Sequence, residues 1–459
     1  MFRIEMGRTA RYCDGLSRRS FVKLGVAGLA TAGLPQVLRG KEDSAALGTS
    51  AKNTSCILIW LDGGPSHMDL YDLKPDAPAQ YRGLWNPIPT NVPGMEISEL
   101  FPLQARCADK FSLVRSLYHN NGDHFAAGHI LLTGRTGASG ADTPGKYPFV
   151  GSVATKLTGP RQPGMPANVA VPYAMSIGLR PGYFGANYLG VAHNPFETEG
   201  DPNAANFQVQ NINLSGGLSI ARLDDRAALA KQFDKMRRDV DSSGMLDAMD
   251  RFDRQAYQLV AGDAARRAFN ISLEDPRQRD RYGRHSWAQS MLLARRLVEA
   301  GTTFVTVHLG GWDHHWDLKA GMERNLPIVD RGVSALLEDL DQRGLLDTTL
   351  VMLMGEFSRT PRMNDGGNGG APMSMGTPGR DHWGNAMFCF LAGGGIKGGQ
   401  IVGSTNRLGE APQDRPIVAA DIHHTLFHIL GVDPSVSFLN HAGRPVPALE
   451  PGSVIHELI

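Results

Sequence analysis

Short apolar segments that stop at turn residues recur along this chain and alternate with segments of helical periodicity. The first covers residues 56–61 (CILIWL) and ends abruptly at DGGPS. A short continuous apolar segment bounded by turn residues is typical of a strand buried on both faces, as in a parallel sheet covered by helices. Similar segments predict further strands at residues 111–118, 303–308, 348–354 and 386–392.

The segments between these strands show apolar residues at helical spacing. They predict helices in the Ala/Leu-rich segment that ends near residue 135 and at 285–300, 326–344 and 417–430. Residues 221–262 are amphipathic at the same spacing, and we interpret 221–265 as a helical insertion.

Strands that alternate with helices predict one α/β domain over residues 54–459, with a mainly parallel central sheet and helices on both faces. Residues 71–102 and 137–200 are rich in Gly and Pro and lack a clear period. We therefore expect long loops there, with the second one forming the rim of a site.

Charge and cysteine content exclude several classes of function. Lys plus Arg and Asp plus Glu both total 46, so no overall field attracts nucleic acid or an anionic membrane. The four cysteines show no CxxC spacing and predict no disulfide framework. Any binding site must therefore come from a local arrangement of residues.

The first fifty residues have the features of an export signal. The sequence SRRSFVK at 17–23 precedes a modest apolar stretch at 24–34, in the order of a twin-arginine signal. That stretch is too short for a permanent membrane span. We interpret residues 1–46 as a signal peptide and linker, which predicts a periplasmic or secreted protein exported by the twin-arginine machinery. The alternative is an ordinary basic amphipathic amino terminus.

Three predicted strands are followed by an acid beside glycine, namely Asp62, Asp313 and Glu356. Parallel strands place their carboxyl ends side by side, where open α/β sheets bind ligands. Carboxylates that are packed together repel unless a cation neutralises them. The alternative is that each acid only caps a turn or helix.

Histidines close to these acids complete a candidate metal site. His315 and His382 are the main candidates, and His124 is a further one. A mixture of nitrogen and oxygen ligands suits a divalent cation such as zinc, manganese or iron better than calcium.

The order of these residues resembles the alkaline phosphatase and sulfatase superfamily, and more closely its exported branch known as domain of unknown function 1501. The motifs that carry the resemblance are LDGGPSHMDLYDLKP (61–75), LLTGR (131–135), GGWDHH (310–315), GEFSRTPR (355–362) and GRDHWG (379–384). The resemblance implies an alkaline-phosphatase-like fold and a site with one or two metals that hydrolyses phosphate or sulfate esters.

The resemblance also implies metal ligands, which we transfer residue by residue. Asp62 matches the ligand after the first strand, Asp313 matches the acid of the later metal-binding loop, and His382 matches the last histidine. His315 lies near that loop's histidine, with Asp317 as the alternative. Glu356 stands where many members have an Asp-His pair, and Phe357 replaces the histidine.

The position that carries the nucleophile in the superfamily has a different kind of residue in this chain. Sulfatases place a modified Cys or Ser seven residues before the LLTGR element, and that position is His124 here. Ser66 is the nearest hydroxyl to Asp62 and is the other candidate. Arg359 and Arg380 could clamp an anionic group bidentately, or they could be ordinary ion-pair arginines.

Two functions therefore stay open at this point. The first is an exported metal-dependent hydrolase acting on a small anionic ester or a sulfated or phosphorylated polymer, with water as the attacking group. The second is a catalytically degenerate secreted binding or assembly protein that keeps the same fold.

Overall fold

The strand β1 (Ser55–Asp62) lies at the middle of the central sheet, and all of its residues are buried. The structure is a computed structural model that describes residues 53–137, 145–209, 263–364 and 377–459. The secondary structure given below refers to these ranges.

The other strands are β2 (Pro87–Pro89), β3 (Glu96–Ser98), β4 (Phe111–Leu117), β5 (Asn168–Val171), β6 (Phe196–Glu197), β7 (Phe304–Gly310), β8 (Thr349–Met354), β9 (Ser358–Arg359), β10 (His382–Trp383), β11 (Met387–Ala392), β12 (Ile401–Val402), β13 (Ser404–Thr405), β14 (Pro412–Asp414), β15 (Ser437–Leu439) and β16 (Pro445–Pro447). The α-helices are α1 (His67–Leu70), α2 (His124–Thr133), α3 (Val150–Thr158), α4 (Asp263–Phe269), α5 (Pro276–Tyr282), α6 (Ser286–Ala300), α7 (Leu318–Gln342) and α8 (Ala419–Leu430). Short 3-10 helices occupy Gln104–Lys110, Asn187–Leu189, Val191–His193, Ile271–Leu273, Leu346–Thr348 and His456–Leu458.

Eight strands form the central sheet in the order β12-β4-β11-β8-β1-β7-β5-β6. β1 is parallel to both of its neighbours, and the pairs β7–β5, β5–β6 and β12–β4 are also parallel. Only β11 runs antiparallel to the strands beside it, which are β4 and β8. The predicted α/β fold with a mainly parallel sheet is confirmed.

Alternate residues of β1 face two separate hydrophobic cores. Ile57, Ile59 and Leu61 pack on one face of the sheet with residues of α6 and α7. Cys56, Leu58 and Trp60 pack on the other face with residues of α2, α3 and α8. Because both faces of the strand are covered, its sequence is continuously apolar rather than alternating. Helices on both faces are therefore also confirmed.

Some predicted boundaries were wrong. Residues 137–200 contain α3 and β5 in addition to loops, because these elements are short and lie between Gly and Pro residues that hide their period. Helix α7 begins at Leu318, earlier than predicted, and includes Pro327. Within the predicted loop at 71–102, β2 and β3 form a two-stranded ribbon.

Two predictions fall outside the described residues. The export signal lies in residues 1–46, and nearly all of the predicted insertion at 221–265 lies in the range 210–262. Within the described ranges, no helix combines the length and the hydropathy needed to cross a bilayer.

Candidate metal centre

The carboxyl ends of three neighbouring strands bring the predicted acids to one edge of the sheet. Asp62 is paired in register with Gly310 of β7, and Trp60 is paired with Met354 of β8. Asp313 and Glu356 follow these two strands directly. The turn after β1 fits tightly against them, because a Cβ atom at Gly63 would lie 2.7 Å from the backbone nitrogen of Asp313.

Three imidazoles surround the Asp313 carboxylate and form, together with it, what we call the histidine cluster. The Nε2 atoms of His315 and His382 each lie 3.1 Å from Asp313 Oδ1. His124 Nε2 lies 3.4 Å from Asp313 Oδ2. His124, Asp313 and His382 each offer a ligand atom within 4.8 Å of the others. The residues come from α2, from the loop after β7 and from β10.

The opposite nitrogen of each imidazole is held by an acceptor. His124 Nδ1 donates to Glu356 Oε1 at 2.7 Å, and His315 Nδ1 donates to Asp381 Oδ1 at 2.7 Å. His382 Nδ1 donates to the carbonyl oxygen of Gly122 at 2.7 Å. Carboxylate and carbonyl oxygens only accept, so each ring carries a proton on Nδ1. Histidines that bind metals in proteins are usually oriented by a bond of this kind.

This arrangement directs three Nε2 atoms at one carboxylate. A neutral ring protonated on Nδ1 has a lone pair on Nε2, and that lone pair repels a carboxylate oxygen. A second proton on every ring would direct two N–H groups at each other, since the Nε2 atoms of His315 and His382 are only 2.9 Å apart, so this pair accommodates one proton between its Nε2 atoms. A cation at the centre would be attractive to all four groups.

The electrostatics of the histidine cluster reflect the same crowding. Burial would lower the pKa of His124, but hydrogen bonds to Asp313 and Glu356 raise it to about 9. The hydrogen bond to Asp313 raises the pKa of His315, whereas burial lowers the pKa of His382. Burial opposes ionisation of Asp313, yet its three histidine partners hold the pKa of its carboxyl well below the usual range.

Asp62 and Glu356 lie beside the cluster, but their oxygens face protein donors. Asp62 accepts from Ser176 Oγ at 2.9 Å and from the backbone nitrogen of Ile177 at 2.6 Å. Glu356 is fully buried, and burial raises the pKa of its carboxyl. The structure thus brings Asp313, His315 and His382 together as ligand candidates, adds His124, and places Glu356 behind His124.

Arg359 is a buried residue that holds the Asp313 carboxylate in place by a hydrogen bond. Its guanidinium is fully buried and donates to Asp313 Oδ1 at 2.5 Å and to the Gly64 carbonyl at 2.8 Å. The pairing of β9 with β10 sets Arg359 opposite His382. Arg359 therefore connects the turn after β1 to Asp313.

Arg380 and Ser66 are engaged elsewhere. Arg380 is fully buried, and its donors contact the Asp69 carboxylate and the carbonyls of Thr360, Pro361, Tyr81 and Arg82. An arginine has five N–H donors, so none is left for a ligand. Ser66 is also fully buried, and its hydroxyl donates to Asp69 Oδ2 at 2.5 Å.

Two neighbours of the site were missed by the sequence analysis. His308 is the last residue of the predicted third strand, and its Nε2 lies 3.1 Å from Asp62 Oδ2. Asp381 lies next to His382 in the GRDHWG motif and orients His315. A histidine that ends a strand and an acid beside a ligand histidine were the signals present in the sequence.

Residues 53–459 match the protein family described as "Protein of unknown function (DUF1501)". The chain belongs to this family. The family membership that the motifs predicted is therefore confirmed. No curated protein sequence matches the chain.

Several solved structures are similar to this DUF1501 chain at low identity. The PsFucS1 sulfatase from Pseudoalteromonas sp. is 14% identical, with a TM-score of 0.39 over 88% of this chain and 73% of that one. The phosphonate monoester hydrolase of Agrobacterium radiobacter is 12% identical, with a TM-score of 0.39 over 88% of this chain and 77% of that one. A protein in the alkaline phosphatase superfamily from Vibrio parahaemolyticus is 9% identical, with a TM-score of 0.37 over 83% and 67%.

The donor set of the cluster fits a divalent cation. Ligand atoms about 2.0–2.1 Å from a tetrahedral zinc are roughly 3.3 Å apart. The Nε2 atoms of His382 and His124 lie 3.1 and 3.4 Å from the Asp313 carboxylate oxygens, which is of that size, and His315 places its Nε2 beside that of His382. Imidazole nitrogens together with a carboxylate make a mixed nitrogen and oxygen donor set, whereas calcium sites are built from oxygen ligands.

Proposed function

We propose that this protein is a metal-dependent hydrolase of phosphate or sulfate esters. The observation that carries the proposal is the convergence of three Nε2 atoms on the Asp313 carboxylate, with each opposite Nδ1 held by an acceptor. Without a cation, extra protons on His124 and His315 balance the Asp313 charge, and a bound cation would replace them. The carboxyl end of a mainly parallel sheet is also where such folds bind their ligands.

Each residue of the cluster has a role in this proposal. Asp313, His382 and His124 would hold the cation and leave a coordination position open for water or the ester, with His315 beside them as a further candidate ligand. Glu356 and Asp381 keep a proton on Nδ1 of His124 and His315. A bound divalent cation would polarise the ester oxygen and lower the pKa of a water molecule. Arg359 fixes the orientation of Asp313 and contributes positive charge behind it.

Direct attack by water suits the positions of the two residues considered as nucleophiles. His124 takes part in the cluster through Nε2, and Ser66 is buried against Asp69. The buried guanidinium of Arg380 has no free donor, so we assign it a structural role in place of an anion clamp. The substrate in this proposal is a small anionic ester or a sulfated or phosphorylated polymer.

We also propose that the protein is exported in folded form through the twin-arginine pathway. The motif at residues 17–23 supports this proposal. Replacement of Arg18 and Arg19 by lysine should retain the protein in the cytoplasm, as measured by fractionation and immunoblotting. Unchanged export of the Arg18→Lys, Arg19→Lys variant would contradict it.

The experiment that tests the hydrolase proposal measures metal content and activity on the same samples. We expect purified protein to contain a transition metal by elemental analysis and to hydrolyse an aryl phosphate or aryl sulfate after addition of zinc or manganese. His382→Ala and Asp313→Asn should lose both. His428→Ala is the matched control, because His428 is an exposed histidine on α8.

The outcomes separate the two functions considered from the sequence. Metal content without hydrolysis of any ester would favour a secreted binding protein with the same fold. Activity that survives both His382→Ala and Asp313→Asn would refute the metal mechanism.

A further inference from the structure

A cavity of about 400 Å³ lies at the same edge of the sheet as the histidine cluster. We call it the strand-end cavity. Its wall includes His308 and Gly310 at the carboxyl end of β7. A volume of this size is within the range of small-molecule sites.

The strand-end cavity borders the candidate metal centre through two contacts. His308 is nine-tenths buried, and its Nε2 lies 3.1 Å from Asp62 Oδ2, although the atoms are not aligned for a hydrogen bond. Trp287 in the cavity wall stacks on Trp312, with ring centroids 5.8 Å apart, and Trp312 directly precedes Asp313. A ligand in the cavity would therefore touch His308, which contacts Asp62, and Trp287, which packs on the residue before Asp313.

The chemistry of the wall indicates the class of ligand. Tyr173 and Trp287 provide aromatic rings, and Ser286, Asp201 and His308 provide hydroxyl, carboxylate and imidazole groups. No lysine or arginine is among the described residues that line it. An anionic group would find no positive partner in this wall, whereas a neutral ring could stack on the aromatic side chains and use the polar groups as hydrogen-bond partners.

Two arginines close to the wall are engaged by other groups. Arg279 donates to the carbonyl of Pro202 at 3.2 Å and to Gln289 Oε1 at 2.7 Å. Arg180 lies over the ring of Tyr173, with its guanidinium carbon 5.9 Å from the centroid. Its Nη2 donates to Glu197 Oε2 at 2.7 Å, so this arginine is paired. The lining residues therefore suit an uncharged ligand better than an anionic one.

We propose that the strand-end cavity binds a neutral, hydroxyl-bearing ring of the pyranose type. Binding of a free pyranoside is independent of the proposed function. The role of the cavity as the subsite for the organic part of the ester rests on that function.

The test uses full-length protein and a panel of uncharged methyl pyranosides with gluco, galacto, manno and fuco configuration. Binding is measured by saturation-transfer NMR and titration, neither of which requires turnover. We expect at least one pyranoside to bind with a Kd of about 1 mM or lower. Trp287→Ala and Tyr173→Ala should each weaken binding by about fivefold or more. Trp287→Phe is the matched control, since it keeps an aromatic ring and should retain most of the affinity.

Three results would overturn the inference. The first is that no pyranoside binds wild-type protein at about 20 mM. The second is that binding is unchanged in folded Trp287→Ala and Tyr173→Ala proteins. The third is that 4-nitrophenol binds in a manner dependent on Trp287 while no pyranoside does.

His382→Ala protein separates this inference from the proposed function. It should lose metal and activity but still bind the pyranoside. Pyranoside binding by a wild-type protein that hydrolyses no ester would leave the cavity assignment intact and refute only the hydrolase. Hydrolysis without pyranoside binding would refute only the cavity assignment.

Discussion

The buried pair Arg380–Asp69 gives a sharp prediction, because the sequence suggested an anion clamp at Arg380 and the structure indicates a structural residue. Both side chains are fully buried, and Arg380 Nε lies 2.8 Å from Asp69 Oδ2. Replacing Arg380 by methionine keeps much of the apolar stem but leaves the Asp69 charge without a cation. Four backbone carbonyls also lose their donors.

Removal of one partner of a buried ion pair typically lowers the free energy of unfolding by about 3–5 kcal/mol. We expect a loss of that size for Arg380→Met and a similar loss for Asp69→Asn. The double variant should lose less than the sum, with a coupling of about 1–3 kcal/mol, because the two single changes disrupt the same interaction. Lysine at position 380 should give an intermediate result, since it keeps the charge but has three donors in place of five.

Urea unfolding followed by tryptophan fluorescence and circular dichroism measures these differences. If Arg380→Met does not accumulate in folded form, the same unfolding measurement is made on Arg380→Lys. An anion clamp predicts a different pattern, in which the unfolding midpoint is unchanged and the KM for the ester rises. That pattern would refute the structural role that we assign to Arg380.

Three further predictions test the site and its support. Glu356→Gln should reduce metal affinity about 10–100-fold in a chelator competition assay, because the histidine that it orients loses a charged partner; affinity within about twofold of wild type would contradict this. Gly63→Ala should weaken metal binding and lower stability, since Gly63 has φ +116° and the added Cβ would collide with the loop after β7. Gly94→Ala is the control for backbone strain alone, because Gly94 has φ +82° and an added Cβ there meets no neighbour. His67 and His423 are buried, and burial lowers the pKa of each to about 4. The unfolded chain binds their protons near pH 6.5, so their contribution to stability is complete above that pH and is lost as the pH falls toward 4; thermal unfolding at pH 7.5, 6 and 5 should show this decline, and a flat profile would be inconsistent with it.

The sequence alone was enough to predict the architecture, because the period of apolar residues reports directly how many faces of an element are buried. The continuous apolar segment of β1 predicted a strand covered on both sides, and the structure confirms two cores. The motifs predicted the family. The period of apolar residues cannot be recognised in a short element, which is why the segments of α3 and β5 were predicted to be loop.

The sequence also indicated which strand ends carry acids and which histidines lie near them. Asp313, His315 and His382 do come together in the structure. This could be predicted because parallel strands align their carboxyl ends, so that acids and histidines that follow separate strands come together at one edge of the sheet.

Only the tertiary structure decided which oxygens face the centre of that edge. Asp62 accepts hydrogen bonds from Ser176 and Ile177, which are more than a hundred positions away, and the guanidinium of Arg380 donates to carbonyls from two different loops. Side-chain direction and long-range pairing depend on the packing of the whole chain. The spacing of residues along the sequence therefore does not predict side-chain direction or long-range pairing.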